Sequence, residues 1–273
     1  MEKLKVRKSA AAGRFYQASA FDLRGQIESF LDKKAERSDV IACMLPHAGY
    51  TYSGRVAVQT VSRINIKDRV ILIGPNHTGH GPAFSIMSQG VWQTPLGDVK
   101  VDSVLAGKIL ASSEYLEDDF DAHRDEHSLE VELPILQYFK KTLQIVPICL
   151  ASHDVYALKK IAEAIAGAIK ESNLESSALI IASSDMTHYE SQDQADKKDK
   201  QAIQAILELD ADKFTAAVQG LNISMCGYAP ALVMLASSKL LGAKKAELIK
   251  YQTSGDITGD YDRVVGYAGI VIY

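Results

Sequence analysis

Six short β-rich runs punctuate this chain, residues 40–45, 69–73, 143–149, 178–182, 246–251 and 264–272, and most of them are apolar on both faces. A strand with one wet face alternates apolar and polar side chains, whereas a strand covered on both faces does not. The runs therefore belong to a sheet buried on both sides. Helical patterns separate them, over 21–34, 54–63, 103–112, 128–141, 155–171, 193–209, 212–219 and 229–241. Leu158, Ile161, Ala162, Ile165 and Ile169 show the helical spacing most plainly. Ser19-Ala20-Phe21-Asp22 predicts a capped start for the first helix. Strands of this kind alternating with helices specify an α/β domain, with a mostly parallel central sheet flanked by helices. Residues 83–101 break the pattern with Gly90, Pro95 and Gly97, which predicts a hairpin at one edge. No repeat or linker interrupts the chain, so residues 1–273 are expected to form a single domain.

Hydrophobic residues make up 47% and charged residues 23%, which excludes a disordered, fibrous or coiled-coil chain. Thirty Lys and Arg against 34 Asp and Glu leave a net charge of -4, without the basic excess of a nucleic-acid-binding surface. The longest apolar runs fall far short of the ~20 residues that span a bilayer, so no membrane contact is expected. The basic start, residues 1–16, lacks the apolar stretch of a signal peptide. Three cysteines are too few for a disulfide framework and point to a reduced, cytoplasmic setting.

Ligands of such sheets bind beyond the carboxyl ends of the strands. The segments following the runs are therefore the informative ones. They are Pro46-His47-Ala48-Gly49-Tyr50, Gly74-Pro75-Asn76-His77-Thr78-Gly79-His80, Ser183-Ser184-Asp185-Met186-Thr187-His188-Tyr189 and Gln252-Thr253-Ser254-Gly255-Asp256. A lone strand-end His is usually structural. Three of them, His47, His77 and His188, at equivalent ends of one sheet can converge, and imidazole serves both as metal ligand and as acid/base. Cys226 precedes a predicted helix. It reads as a nucleophile, a soft metal ligand or a small buried filler. Cys43 and Cys149 lie inside predicted strands and read as core. His127 and Glu130 share one face of a helix start and either line a cleft or form a capped, solvated helix end. His80, His123 and His153 read as surface or loop residues. Neither a phosphate loop nor Gly-x-Ser-x-Gly is present, which disfavours nucleotide binding at Gly74 and hydrolysis by Ser183 or Ser184.

Pro46-His47-Ala48-Gly49-Tyr50 with Ser53-Gly54, Gly74-Pro75-Asn76-His77, Glu126-His127-Ser128-Leu129-Glu130, Ser183 to Tyr189 and Cys226-Gly227 resemble the Memo family in order and spacing. Ala12-Gly13-Arg14-Phe15-Tyr16 resembles that family's start, so the likeness covers nearly the whole chain. The family in turn resembles class III extradiol dioxygenases of the LigB-like type. The resemblance implies a LigB-like fold and a redox site for iron or copper. It implies His47, His77 and Cys226 as metal ligands, with Cys226 standing where the dioxygenases have a carboxylate. It also implies His188 as the catalytic acid/base, with Asp185 orienting it. A softer third ligand shifts the preference from the iron of catechol cleavage towards copper. A small molecule or peptide in the cleft is implied, as are AMMECR and radical-SAM partner proteins. The competing expectations are a non-enzymatic module that grips a peptide or modified side chain in the same cleft, and a metal-free hydrolase using Cys226 or Ser184.

Overall fold

A computed structural model describes residues 5–273. Its strands, in chain order, are β1 (Val6–Arg7), β2 (Ala42–Leu45), β3 (Arg69–Pro75), β4 (Phe84–Ile86), β5 (Val91–Thr94) and β6 (Gly97–Val101). There follow β7 (Glu117–Asp118), β8 (Gln144–Leu150), β9 (Ala178–Ser183), β10 (His188–Glu190), β11 (Ala246–Thr253) and β12 (Val264–Ile272). They form one sheet with the order β1-β5-β6-β8-β3-β9-β2-β12-β10. The centre, β6-β8-β3-β9-β2, is parallel throughout. β12 joins antiparallel to β2, and β11 runs antiparallel beside β12. The predicted edge hairpin is β5 with β6, while β4 turns back antiparallel on β8.

The apolar runs are double-sided for the expected reason. Helices Ala20–Phe30, Gly54–Ser62 and Glu132–Phe139 pack together on one face of the sheet. Helices Val155–Glu171, Gln192–Leu207, Ala211–Gly220 and Tyr228–Leu240 form the other layer. A single buried apolar cluster runs through both layers. No helix of the described residues is long and apolar enough to cross a membrane.

The first helix begins where Ser19 caps it, its hydroxyl 3.4 Å from the Asp22 amide. Exposed caps of this kind are worth about 1 kcal/mol. Ser19→Ala should therefore lower unfolding free energy by ~1 kcal/mol or less, and a urea titration would detect a larger loss. The predicted helix over 128–141 is instead two pieces, His127–Glu130 and Glu132–Phe139. Pro134 explains the break. It has no N–H to donate to the Glu130 carbonyl four residues back.

Candidate metal centre

Parallel pairing puts the carboxyl ends of β2, β3 and β9 side by side, and each end launches part of the site. His47 follows β2 and is buried. Its backbone N–H donates to Asp185 Oδ1 at 2.9 Å. Its ring Nδ1 lies 2.8 Å from Ser183 Oγ, and its Nε2 lies 3.2 Å from Cys226 Sγ. Burial, and next the neighbouring His77 and His127, hold the ring's pKa well below its ordinary value, so His47 is neutral.

The hydrogen-bond count around Ser183 fixes the tautomer. Its hydroxyl donates to the Ser128 carbonyl at 2.7 Å and also lies 2.9 Å from Glu132 Oε1. A hydroxyl has one proton to give. Burial pushes the Glu132 carboxyl well above its usual range, so it is a neutral acid with a proton to donate to Ser183. The remaining acceptor position of Ser183 takes Nδ1–H of His47. The Nε2 lone pair of His47 is thereby left facing the cleft. Ser183 is itself fully buried and saturated by these bonds, which removes it as a nucleophile.

His77 follows β3. Its amide and its Nδ1 both bond Glu126, Nδ1 at 2.9 Å. The same carboxylate oxygen lies 3.4 Å from Nδ1 of His127. Glu126 is fully buried. Burial pushes its carboxyl up, but the bonds from His77 and the Ser128 amide outweigh this and leave it at about 2. His127 stacks on Phe15 with ring centres 4.4 Å apart. Burial lowers its pKa to about 4 against the pull of Glu126. Helix His127–Glu130 reaches the strand end because Gly74 has no side chain. A Cβ there would lie 2.6 Å from Ser128 Oγ and 2.7 Å from Leu129 Cδ2.

Cys226 enters from the opposite side, at the start of helix Tyr228–Leu240. Burial, then Asp185, push its thiol up, so it is uncharged at neutral pH. Gly227 seats it, since a Cβ at 227 would come within 2.3 Å of Ser184 Cβ and 2.5 Å of the Ser183 carbonyl. Asp185 is buried. Its carboxylate accepts from the amides of His47 and Ala48. Burial raises it to about 6. His188 stands at the rim, half-buried, with Nδ1 2.8 Å from the Met186 carbonyl. That bond makes Nδ1 the donor and leaves Nε2 as the proton acceptor.

Two triads place their ligand atoms within 4.8 Å of one another, and they share His47. One is His47, His77 and His127, and the other is His47, Asp185 and Cys226. Among the described residues no set at this spacing holds both His77 and Cys226. His47, His77, His188 and Cys226 were expected in one pocket; His47 stands in both sets, His77 in one and Cys226 in the other, and His188 in neither.

A family description, Memo-like protein, matches residues 7–271. The chain belongs to the Memo-like family. MEMO1 family proteins of three archaea show how closely its members match. The protein of Methanococcoides burtonii is 43% identical, over 98% of this chain and the whole of its own length. That of Methanopyrus kandleri is 41% identical, over 97% of this chain and 98% of its own. That of Methanocaldococcus jannaschii is 40% identical, over 98% and 99%.

The structure corrects two sequence readings within this Memo-like chain. His123, expected at the surface, is fully buried, with Nδ1 3.2 Å from Cys149 Sγ. Glu130 shares a helix turn with His127 but points away from the cleft, into a cluster with Arg7, Ser9 and Tyr16. The roles of Glu126, Ser183, Glu132 and Phe15 as partners of the histidines were not expected. Glu126, Ser183 and Phe15 stand in segments singled out for other reasons, and Glu132 carried no signal of its own.

Proposed function

We propose that this protein carries a mononuclear redox metal centre, with iron or copper held by His47 and His77 and with Cys226 as a thiolate donor. One observation carries the reading. His47 and His77 each have Nδ1 tied to a buried oxygen, Ser183 or Glu126, which aims Nε2 into one cleft. Metal-binding histidines are oriented by this kind of bond to the second nitrogen. The ion would supply one-electron chemistry and an open position for a small molecule. The chain's own residues do the rest. The Cys226 thiol gives up its proton before it can bind, so affinity rises with pH. Asp185 pins the turn carrying His47 through two backbone amides. His188, with Nε2 free at the rim, accepts or returns a proton of the bound molecule.

Untagged protein titrated with ferrous iron or cuprous copper tests this. The wild type should take up one equivalent, measured by metal analysis after desalting. His47→Ala should take up none, and its circular dichroism spectrum is recorded alongside because the ring it removes is buried against Ser183 and Cys226. His188→Ala should keep the metal. A wild type that binds neither ion saturably overturns the reading.

A further inference from the structure

On the reading of the cleft as a metal site, we propose that Tyr267 binds the molecule that enters it, its phenol donating a hydrogen bond to a small anion held at the open position of the ion.

Four tyrosines are buried among the described residues, Tyr16, Tyr50, Tyr228 and Tyr267. A buried phenol ordinarily finds a hydrogen-bond partner. Tyr16 donates to Glu130, Tyr50 donates to the Val131 carbonyl at 2.7 Å, and Tyr228 meets Thr215 Oγ1 at 3.2 Å. Tyr267 is only 2% exposed, yet no hydrogen bond within the described residues acts on its hydroxyl. That hydroxyl is also not among the polar atoms sealed off without a partner. The little surface Tyr267 keeps therefore includes its one polar atom. A ring packed in the fold with its donor unspent and open is built to meet something from outside.

The backbone shows where that donor opens. The Met186 amide donates to the Gly266 carbonyl at 2.8 Å, and the Gly266 amide donates to the Thr187 carbonyl at 2.9 Å. These bonds lay β12 against the segment between Asp185 and His188. Gly266 permits the approach, because a side chain there would run into Asp199 and Met186. Successive side chains of a strand point to opposite faces. Tyr267 therefore turns away from Asp199, to the face on which Gly269 meets Thr60 and Val56. Across the ladder it stands opposite Gln252, whose Nε2 donates to the Tyr52 carbonyl at 2.8 Å. Tyr52 belongs to the loop that His47 opens. The phenol is thus bounded by the two strand-end segments that carry His47 and Asp185. Its electrostatic surroundings agree. Burial first, and then Asp185, Tyr52 and Tyr189, push it above its ordinary value, so it stays protonated and can donate.

The chemistry of the donor selects the occupant. An apolar molecule that covered Tyr267 would leave a desolvated donor unpaired, and sites built around a hydrogen bond reject such molecules strongly. A second cation would be repelled by the ion itself. An anion is drawn to the ion and offers lone pairs to the phenol, and hydrogen bonds to charged partners are about twice as strong as neutral ones.

Azide is the probe. One end binds a metal ion, the other accepts a hydrogen bond, and the infrared stretch reports that bond. Cobaltous ion is the metal, because a site that holds ferrous iron holds cobaltous ion more tightly. Wild type and Tyr267→Phe would be loaded with cobaltous ion, or with cuprous ion if only that is retained, and titrated with azide. The variant should take up the metal as the wild type does, bind azide at least ~tenfold more weakly, and show a shifted azide stretch. A smaller loss, or an unchanged stretch, overturns the assignment of Tyr267 and leaves the metal centre standing. A wild type that retains neither ion overturns the metal centre, and the role of Tyr267 with it. A second measurement needs no metal. The hydroxyl has no partner to lose, so Tyr267→Phe should unfold at the urea concentration of the wild type or above it. A lower midpoint would mean that the hydroxyl is bonded within the fold, which overturns the assignment whatever ion is bound.

Discussion

Glu130→Ala should cost about 3–5 kcal/mol of unfolding free energy, the range for stripping one partner from a buried ion pair. Both Arg7 and Glu130 are fully buried. The Glu130 carboxylate accepts from the Arg7 guanidinium, the Ser9 and Tyr16 hydroxyls, and the amides of Ala10 and Ala11 at 2.8 and 2.9 Å. Burial alone would push this carboxyl up. Arg7 and the surrounding donors overcome that and hold it below its usual range. Truncation leaves Arg7 charged and buried with the carbonyls of Lys8, His123 and Glu126 and the face of Trp92, 4.5 Å away, but no counter-charge. It also leaves the amides of Ala10 and Ala11 without that acceptor, and the Ser9 and Tyr16 hydroxyls with only each other, 3.0 Å apart. Replacing both partners, as Arg7→Met with Glu130→Leu, should recover much of the loss, because no buried charge then remains. Urea unfolding measures each variant. A cost below ~1 kcal/mol for Glu130→Ala would match an exposed pair and contradict the burial. The cluster matters to the site because it ties down the segment carrying Phe15, which stacks on His127.

The fold was legible because the central strands are buried on both faces and so lose the alternation of a half-wet strand. That property also announced the parallel order, and the parallel order announced where ligands would sit. His47, His77 and His188 followed from there. The supporting partners did not follow. Glu126 lies 49 residues from His77 in sequence, and Ser183 lies 136 from His47. Nothing local marks either pairing. The i, i+3 rule placed Glu130 beside His127, but Arg7, Ser9 and Tyr16 from the distant N-terminal segment draw the Glu130 carboxylate away. His123 was misread for a related reason. Helix Asp121–Arg124 is too short to display a periodic apolar face, and the burial comes from Arg7 and Trp92, far away in the chain. Cys226 shows the limit of a resemblance. It fixes the residue at the cleft, but the packing of Gly227 against Ser183 and Ser184 decides which histidine the thiol touches.

Between pH 7 and pH 5 the buried His123 should cost this protein about 2 kcal/mol of stability, a loss that His123→Gln should abolish. Burial, and next the charge of Arg7, hold the His123 ring down to about 3 from an ordinary 6.5. Its Nε2 has no hydrogen-bond partner among the described residues, so the folded chain offers nothing to stabilise a second proton. The unfolded chain takes up that proton as pH falls through about 6.5, whereas the folded chain waits until about 3. Across that window the unfolded state binds more protons, so stability falls with falling pH. At pH 5 the difference amounts to roughly one and a half pKa units of ionisation, at ~1.4 kcal/mol per unit. Glu130, held low, adds to the decline only below its ordinary 4.5. Glu132, pushed up by burial, acts with the opposite sign, because the folded chain keeps its proton after the unfolded chain has lost it. The whole-protein curve therefore mixes signs, and the comparison of wild type with His123→Gln isolates the one residue. Urea unfolding at pH 7 and pH 5 gives two free energies for each protein. The drop should be ~2 kcal/mol smaller in the variant. Equal drops would mean that His123 is already protonated in the folded protein, or that its ring reaches solvent.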